Sequence, residues 1–291
     1  LKNWTNLQDD YDCLYCIVDM HAITVRQDPV KLRKQARDLL TQYLAVGIDP
    51  EKNTIYYQSH VSQHAELGWI LNCFTYMGEL NRMTQFKDKA AKHSDNINAG
   101  LYTYPVLMAS DILLYQTDLV PVGEDQRQHL EITRDIAGRF NGIYGETFKI
   151  PYIGKVGARI MSLQEPTKKM SKSDENKNNT ILLMDEPAVI MNKVKRAMTD
   201  SGSEIRHGED KPGITNLLNI YCACTGKTME EAEREFDGAG YGAFKTAVGE
   251  AVVAELEPVQ KRVKELEKNK DYLDEVIKYG AERAGKLAAR T

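Results

Sequence analysis

Leu14-Tyr15-Cys16-Ile17-Val18 is a continuous apolar run of strand length, and the dipeptide Asp28-Pro29 that follows it marks the start of a helix. Aspartate is a favoured N-cap, and proline fits the first helical position because its missing N–H would have no partner there. Apolar residues then recur at helical spacing, at Leu32, Ala36, Leu39, Leu40, Tyr43 and Leu44. Gly47 ends this pattern. A buried strand followed by an amphipathic helix is the repeating unit of a parallel α/β sheet.

The same succession recurs further along the chain. Residues 54–58 form a second strand-like run that leads into a helical pattern over about residues 62–73. A third run, Leu119-Val120-Pro121-Val122, precedes a helical stretch over residues 125–140. Alternating strands and helices of this kind are typical of an α/β fold.

Two domains are expected. The α/β pattern covers residues 1–180, and beyond it the sequence is rich in Ala, Glu, Lys and Leu at helical spacing, which predicts a smaller all-helical domain over residues 181–291. Ligands of α/β sheets bind beyond the carboxyl ends of the strands. The residues that follow Val18, Gln58 and Val122 are therefore where a site is expected.

The bulk composition excludes several classes of protein. The chain has 291 residues, 42% of them hydrophobic and 27% charged, which is ordinary for a soluble globular protein. No apolar run reaches the roughly 20 residues that cross a bilayer, so we expect no membrane segment. The net charge of −4 means that any RNA contact depends on a local basic patch. Of the five cysteines, only Cys13 and Cys16 have a spacing typical of metal ligands, and no second pair accompanies them. We therefore expect no structural metal, and an intracellular, reducing location.

A polar loop after Pro166 contains Lys169-Met170-Ser171-Lys172-Ser173, followed by Asp174. Two lysines can place positive charge beside a triphosphate, and small hydroxyl residues let the backbone approach the phosphates. By itself, the string also fits a flexible basic loop.

Pro121-Val122-Gly123-Glu124-Asp125-Gln126 lies at the end of one predicted strand and the start of a helix. Glycine permits close backbone approach at this edge, and a carboxylate there can accept hydrogen bonds from ribose hydroxyls. The alternative is a helix whose first turn is acidic for reasons of stability.

Asp111 is the only charged residue in the apolar helical stretch from Tyr104 to Leu114. A buried carboxylate is costly unless it is paired or hydrogen-bonded, so Asp111 needs a partner. The indole N–H of tryptophan only donates, which makes it one suitable partner; nearby backbone amides are the structural alternative. Tyr104, Met108 and Asp111 share one helical face.

These segments resemble a known family. Lys169 to Ser173 matches, letter for letter, the signature loop of class I aminoacyl-tRNA synthetases, and residues 120–135 are similar to the corresponding segment of the bacterial tryptophanyl-tRNA synthetases. Tyr104 to Leu114 is similar to the tryptophan-pocket helix of that family. Tyrosyl enzymes commonly carry glutamine at the position of Met108, whereas a thioether suits an indole edge. The resemblance implies a Rossmann-like nucleotide-binding domain followed by a helical domain that recognises the anticodon.

The resemblance also implies roles for individual residues. The ATP-binding residues would be Gly123, Glu124, Asp125, Ile160, Lys169, Met170, Ser171, Lys172 and Ser173. Those acting in catalysis would be Lys169, Ser171 and Lys172. The tryptophan-binding residues would be His21, Tyr104, Met108, Asp111, Val120, Val122 and Gln126. A basic loop over residues 82–92, with Lys87 and Lys89, would approach the nucleotide phosphates.

The family further implies ATP as a substrate with Mg²⁺ bound through its phosphates, L-tryptophan and tRNA(Trp) as partners, a homodimer, and a cytoplasmic location. It leads us to expect that a first strand and a His-Ile-Gly-His type motif precede Leu1. Two alternatives remain at this point: a tyrosyl-tRNA synthetase, and a non-catalytic synthetase-like protein that binds tryptophan or RNA.

Overall fold

The structure, a computed structural model, describes residues 2–84, 97–155, 159–171 and 174–291. The strands are β1 (Leu14–Ile17), β2 (Thr54–Tyr57), β3 (Leu119–Val122) and β4 (Tyr152–Lys155). The first helices are α1 (Lys2–Thr5), α2 (Asp19–Ala22), α3 (Pro29–Ala45), α4 (Gln63–Asn72), α5 (Met77–Asn81), α6 (Ala99–Leu113) and α7 (Arg127–Tyr144). The later helices are α8 (Pro187–Lys195), α9 (Pro212–Thr225), α10 (Met229–Glu235), α11 (Tyr241–Leu266) and α12 (Lys270–Ala288). Short 3-10 turns cover Gln58–His60, Glu124–Gln126 and Lys177–Asn179.

The strands pair in parallel, and the predicted α/β class is confirmed. β1 lies beside β2, with Leu14 opposite Thr54, and β3 lies beside β4, with Leu119 opposite Tyr152. Each pair forms its own two-stranded sheet. The sequence pattern did not predict β4, because this short, largely exposed segment lacks a buried apolar run.

The start of α3 shows why the local sequence adopts this structure. The Asp28 carboxylate accepts a hydrogen bond from the Lys31 N–H at 2.8 Å, and Pro29 occupies the first turn. The predicted N-cap is therefore confirmed. Leu40 and Leu44 on the buried side of α3 pack into a core with Tyr15 of β1.

The chain forms two compact units. Unit 1 comprises residues 1–157 and 266–291, and unit 2 comprises residues 158–265. Unit 2 has its own apolar core, which includes Ile190, Val194, Ile214, Leu218 and Phe244. No helix within the described ranges combines the length and the apolar character that crossing a bilayer requires.

Helix α12 belongs to unit 1, whereas the sequence pattern groups it with the helical domain over residues 181–291. Its apolar residues Leu273, Val276 and Ile277 join the core that contains Ile55 of β2. Helical periodicity shows that a helix has an apolar face but does not show which core covers that face. The division into units therefore differs from the expected boundary near residue 180.

Close packing of α12 on β2 depends on Gly280, because a Cβ atom at this position would overlap the backbone of Ile55. We predict that Gly280→Ala lowers the free energy of unfolding by about 1–3 kcal/mol, as overpacking of a core does. Urea unfolding followed by circular dichroism measures this change.

Gly285→Ala is the matched control, since Gly285 lies in the same helix and a Cβ there meets nothing within 4 Å. Alanine should leave stability unchanged or raise it by up to about 1 kcal/mol, because it favours the helix. Equal effects of the two substitutions would show that the α12–β2 contact is not tight.

Candidate active site

Asp111 lies in the last turns of α6, where its carboxylate accepts hydrogen bonds from three different elements. Oδ2 lies 2.7 Å from His21 Nε2, in α2. Oδ1 accepts from Gln58 Nε2 at 2.7 Å and lies 2.6 Å from His64 Nδ1, in α4. The predicted need for partners is thus confirmed, and side chains rather than backbone amides meet it.

These donors determine the charge of Asp111. Burial alone would raise the pKa of this carboxyl group, but the hydrogen bonds from His21 and His64 outweigh burial, and its pKa lies below the ordinary value. The side chain keeps 13% of its surface exposed. Asp111 is therefore an ionised acceptor that a ligand can still reach.

The parallel strands explain why these residues meet. His21 follows the end of β1, and Gln58 follows the end of β2. Parallel neighbours end at the same edge of a sheet, so both side chains lie where ligands of α/β folds bind. Gln58 Oε1 is buried and has no hydrogen-bond partner among the described residues.

Tyr104 lies two turns before Asp111 in α6 and is buried. Its hydroxyl lies 2.7 Å from Nε2 of His129 in α7, and its ring packs edge-on against His21. Burial raises the pKa of Tyr104 to about 12, so its hydroxyl stays protonated. The structure therefore brings together three of the predicted tryptophan-site residues: His21, Tyr104 and Asp111.

The predicted turn after β3 is also present. Gly123 has extended backbone, and a Cβ there would lie 2.8 Å from an oxygen of Asp125, so the carboxylate packs closely on the glycine. The side-chain amide of Gln126 donates a hydrogen bond to the carboxylate of the neighbouring Asp125 at 3.1 Å. Glu124 is exposed and pairs with Arg127 at 3.4 Å.

The apolar members of the predicted pocket are half-buried. Val120 and Val122 lie in β3, where alternate residues share a face. Met108 lies in α6, one turn from Tyr104 and one turn from Asp111.

In unit 2, the segment from Ile160 to Ser171 is held by its backbone. The amide of buried Asn216, in α9, accepts from the N–H of Met161 and donates to its carbonyl, both at 2.8 Å. Met161 also forms an antiparallel bridge with Lys169. The N–H of Met170 donates to the carbonyl of Ile160 at 3.1 Å.

The far side of this segment is anchored by Thr180, whose hydroxyl donates to the carbonyl of Ser171 at 2.6 Å. Buried Lys193 donates in turn to the carbonyl of Thr180 at 2.8 Å and pairs with Asp185 at 2.6 Å. The side chain of Met170 packs on the core of unit 2. Ile160, Lys169, Met170 and Ser171 therefore share one segment with a defined backbone.

Some predicted residues lie outside the described ranges: Lys172, Ser173, Lys87 and Lys89. Conversely, the sequence patterns did not point to Gln58, His64, His129 or Asn216. Gln58 stands at a strand end where a site was expected, so its position was a signal. No sequence pattern could point to His64 or Asn216, because their partners Asp111 and Met161 are far away in the sequence.

Comparisons with known proteins agree with one another. The profile of the tRNA synthetases class I (W and Y) matches residues 1–257. A tryptophan–tRNA ligase of Clostridium tetani is 59% identical over 293 residues, with 100% of this chain and 87% of the relative covered. A tryptophan–tRNA ligase of Clostridium acetobutylicum is 56% identical over 294 residues, with 100% and 88% covered.

Solved structures give the same grouping. The tryptophanyl-tRNA synthetase from Mycoplasma pneumoniae superposes with a TM-score of 0.91 at 36% identity, covering 99% of this chain and 88% of that one. The enzyme from Campylobacter jejuni, complexed with ADP and tryptophan, gives a TM-score of 0.82 at 34% identity, with 99% and 90% covered. This chain therefore belongs to the class I aminoacyl-tRNA synthetases for tryptophan and tyrosine, in the bacterial-type tryptophanyl branch.

Proposed function

We propose that this chain is a tryptophan–tRNA ligase. It activates L-tryptophan with ATP to give tryptophanyl-adenylate and pyrophosphate, and it then transfers the tryptophanyl group to tRNA(Trp). The relatives that cover the whole chain at 56% and 59% identity carry this activity in their names. We place the reaction in the cytoplasm.

The observation that carries the choice of amino acid is the Asp111 carboxylate. It is ionised and partly accessible, and it accepts from three described donors, out of about four acceptor positions that a carboxylate offers. The remaining position suits a group that only donates, and the indole N–H is such a group. We assign the walls of the indole pocket to His21, Tyr104, Met108, Val120 and Val122, and we assign the α-amino group to Gln126.

The chemistry of the first step needs no general base, because the attacking tryptophan carboxylate is already an anion. One of its oxygens bonds to the α-phosphorus of ATP, and the bond from that phosphorus to the bridging oxygen breaks, so pyrophosphate leaves with the electron pair. In the second step the terminal ribose hydroxyl of tRNA attacks the carbonyl carbon of the adenylate and loses its proton. The bond from that carbon to the phosphate oxygen breaks, so AMP leaves with the electron pair. Catalysis then rests on positioning and on electrostatic stabilisation of the departing charge.

We assign the nucleotide to two sets of residues. Gly123, Glu124 and Asp125 would hold the ribose, since Gly123 admits close approach and Asp125 accepts hydrogen bonds. Residues 169–173, together with Ile160, would hold the phosphates, and Mg²⁺ would enter as the metal complex of ATP. The anchored backbone next to Lys169 supports this role, because a charged group acts most strongly when its position is fixed in advance.

Recognition of tRNA(Trp) is proposed for the helical part of the chain, over residues 181–291, as the family resemblance implies. The net charge of −4 gives no overall attraction for RNA, so this contact would use local basic groups.

The function is tested by the exchange of labelled pyrophosphate into ATP in the presence of single amino acids. We expect exchange with tryptophan and not with tyrosine. Asp111→Ala should lower kcat/KM for tryptophan about tenfold to hundredfold, as the loss of a hydrogen bond to a charged group does, with little change in KM for ATP. Exchange supported by tyrosine, or by no amino acid, would overturn the proposal.

Lys169 and its neighbour Lys168 form a matched pair for testing the phosphate loop. Lys168 is exposed and forms an ion pair with Glu165, so Lys168→Ala should change activity little. Lys169→Ala should cut kcat for adenylate formation about tenfold or more, which corresponds to about 1.4 kcal/mol per factor of ten. Single-turnover adenylate formation measures this step. Equal rates for the two variants would remove Lys169 from the catalytic assignment.

We also propose a homodimer whose interface includes the exposed apolar surface around Trp69 in α4. The Trp69 side chain is 73% exposed, and beside it lies a recess of about 360 Å³. Met20, Ile23 and Leu107 are among the residues that line the recess. Large exposed apolar patches commonly mark interaction sites, and tryptophan is enriched at interfaces.

Trp69→Asp should convert the dimer to a monomer, measured by light scattering after size exclusion. Tyr279→Asp is the control, since Tyr279 is an exposed aromatic residue on α12 that does not line this recess. A Trp69→Asp protein that remains dimeric would place the interface elsewhere.

A further inference from the structure

The side chain of His64 is wholly buried and lies against Asp111, the carboxylate to which we assign the indole N–H of tryptophan. Its Nδ1 lies 2.6 Å from Asp111 Oδ1, and the carboxylate can only accept, so Nδ1 carries the proton. In a neutral imidazole the other nitrogen, Nε2, must then accept a hydrogen bond. The tautomer is thus assigned from the chemistry of the partners.

Two tyrosine hydroxyls stand on the Nε2 side. Tyr115 Oη lies 2.9 Å from Nε2, and Tyr56 Oη lies 3.2 Å from it. Burial raises the pKa of both phenols, so their hydroxyls remain donors. A donating hydroxyl at Nε2 holds the proton on Nδ1, where Asp111 needs it.

The backbone of His64 is fixed as well. The hydroxyl of buried Ser110 donates to the His64 carbonyl at 2.7 Å, which joins α4 to α6 one residue before Asp111. The imidazole therefore cannot turn away without breaking several buried contacts. Unpaired polar groups in such a place are costly.

We propose that His64 is a positioning residue for tryptophan selection, which holds Asp111 Oδ1 so that the remaining acceptor position on Oδ2 faces the indole N–H. This inference rests on the proposed function. His64 does not touch the amino acid. It acts through Asp111, and its contribution depends on the N–H of the substrate.

A substrate that lacks this N–H distinguishes a positioning role of His64 from a role in stability alone. In 3-benzothienyl-L-alanine, sulfur replaces the indole N–H and the ring shape is nearly kept. The readout is the ratio of kcat/KM for tryptophan to kcat/KM for this analogue, in pyrophosphate exchange with the full-length protein. The wild-type protein should favour tryptophan.

We expect His64→Leu to lower this ratio on the order of threefold to tenfold, as the loss of one hydrogen bond does, because only tryptophan uses the oriented acceptor. His64→Asn should restore much of the ratio, since the asparagine amide can donate from nearly the position of Nδ1. Leu71→Ala is the control: it opens a cavity in the apolar core on the same helix, α4, and removes no hydrogen bond to Asp111 or His64. It should therefore lower the melting temperature and leave the ratio unchanged.

The outcomes separate the two proposals. If the wild-type protein does not activate tryptophan, the proposed function fails and this inference falls with it. If the wild-type protein discriminates against the analogue but His64→Leu keeps the wild-type ratio, the role of His64 is overturned and the function stands. If His64→Leu cannot be purified folded, His64→Ala is measured in its place, and a folded His64→Ala protein that keeps the wild-type ratio overturns the role of His64.

Discussion

A carboxylate buried between helices stays charged only if hydrogen-bond donors replace the water that it has lost. The donors to Asp111 come from α2, from the turn after β2 and from α4. The carboxyl ends of β1 and β2 and the helices α2 and α4 must therefore converge on one residue of α6. Removing one partner of a buried charge commonly costs about 3–5 kcal/mol, so this requirement ties the stability of unit 1 to the geometry of its site.

Under the proposed function, the same arrangement would also serve selection between amino acids. A pocket that only fits a ring discriminates weakly, whereas a pocket with a buried polar group rejects ligands that leave this group unpaired. Asp111 is held by neighbours that tolerate no easy rearrangement, because His64 is itself fixed at Nε2 by tyrosine hydroxyls and at its carbonyl by Ser110. A ligand without an N–H group leaves the last acceptor position of Asp111 unpaired, and the site cannot move to relieve this energetic cost. Such a ligand should therefore bind less tightly.

Sequence patterns predicted what depends on local chemistry. The strands that became β1 and β2, the Asp28 cap, and the need of Asp111 for partners all follow from residues close together in the chain. The identity of those partners does not, because Gln58 and His64 are separated from Asp111 by 53 and 47 positions. Helix α12 illustrates the same limit: its apolar face is visible in the sequence, but its place on β2 depends on Gly280, which by sequence is only a weak helix former.

In unit 2 the contacts hold a backbone segment and not a single side chain. Around Asp111 side chains hold a side chain, whereas the segment from Ile160 to Ser171 is held through its backbone by Asn216 and Thr180. These contacts fix the course of the backbone next to Lys169. Interactions that strengthen only in the transition state raise kcat, while interactions equally strong in the ground state only tighten binding. Under the proposed function, a fixed acceptor would suit recognition of an unchanging indole, and Lys169 on an anchored backbone would suit a phosphate group whose charge grows as pyrophosphate departs.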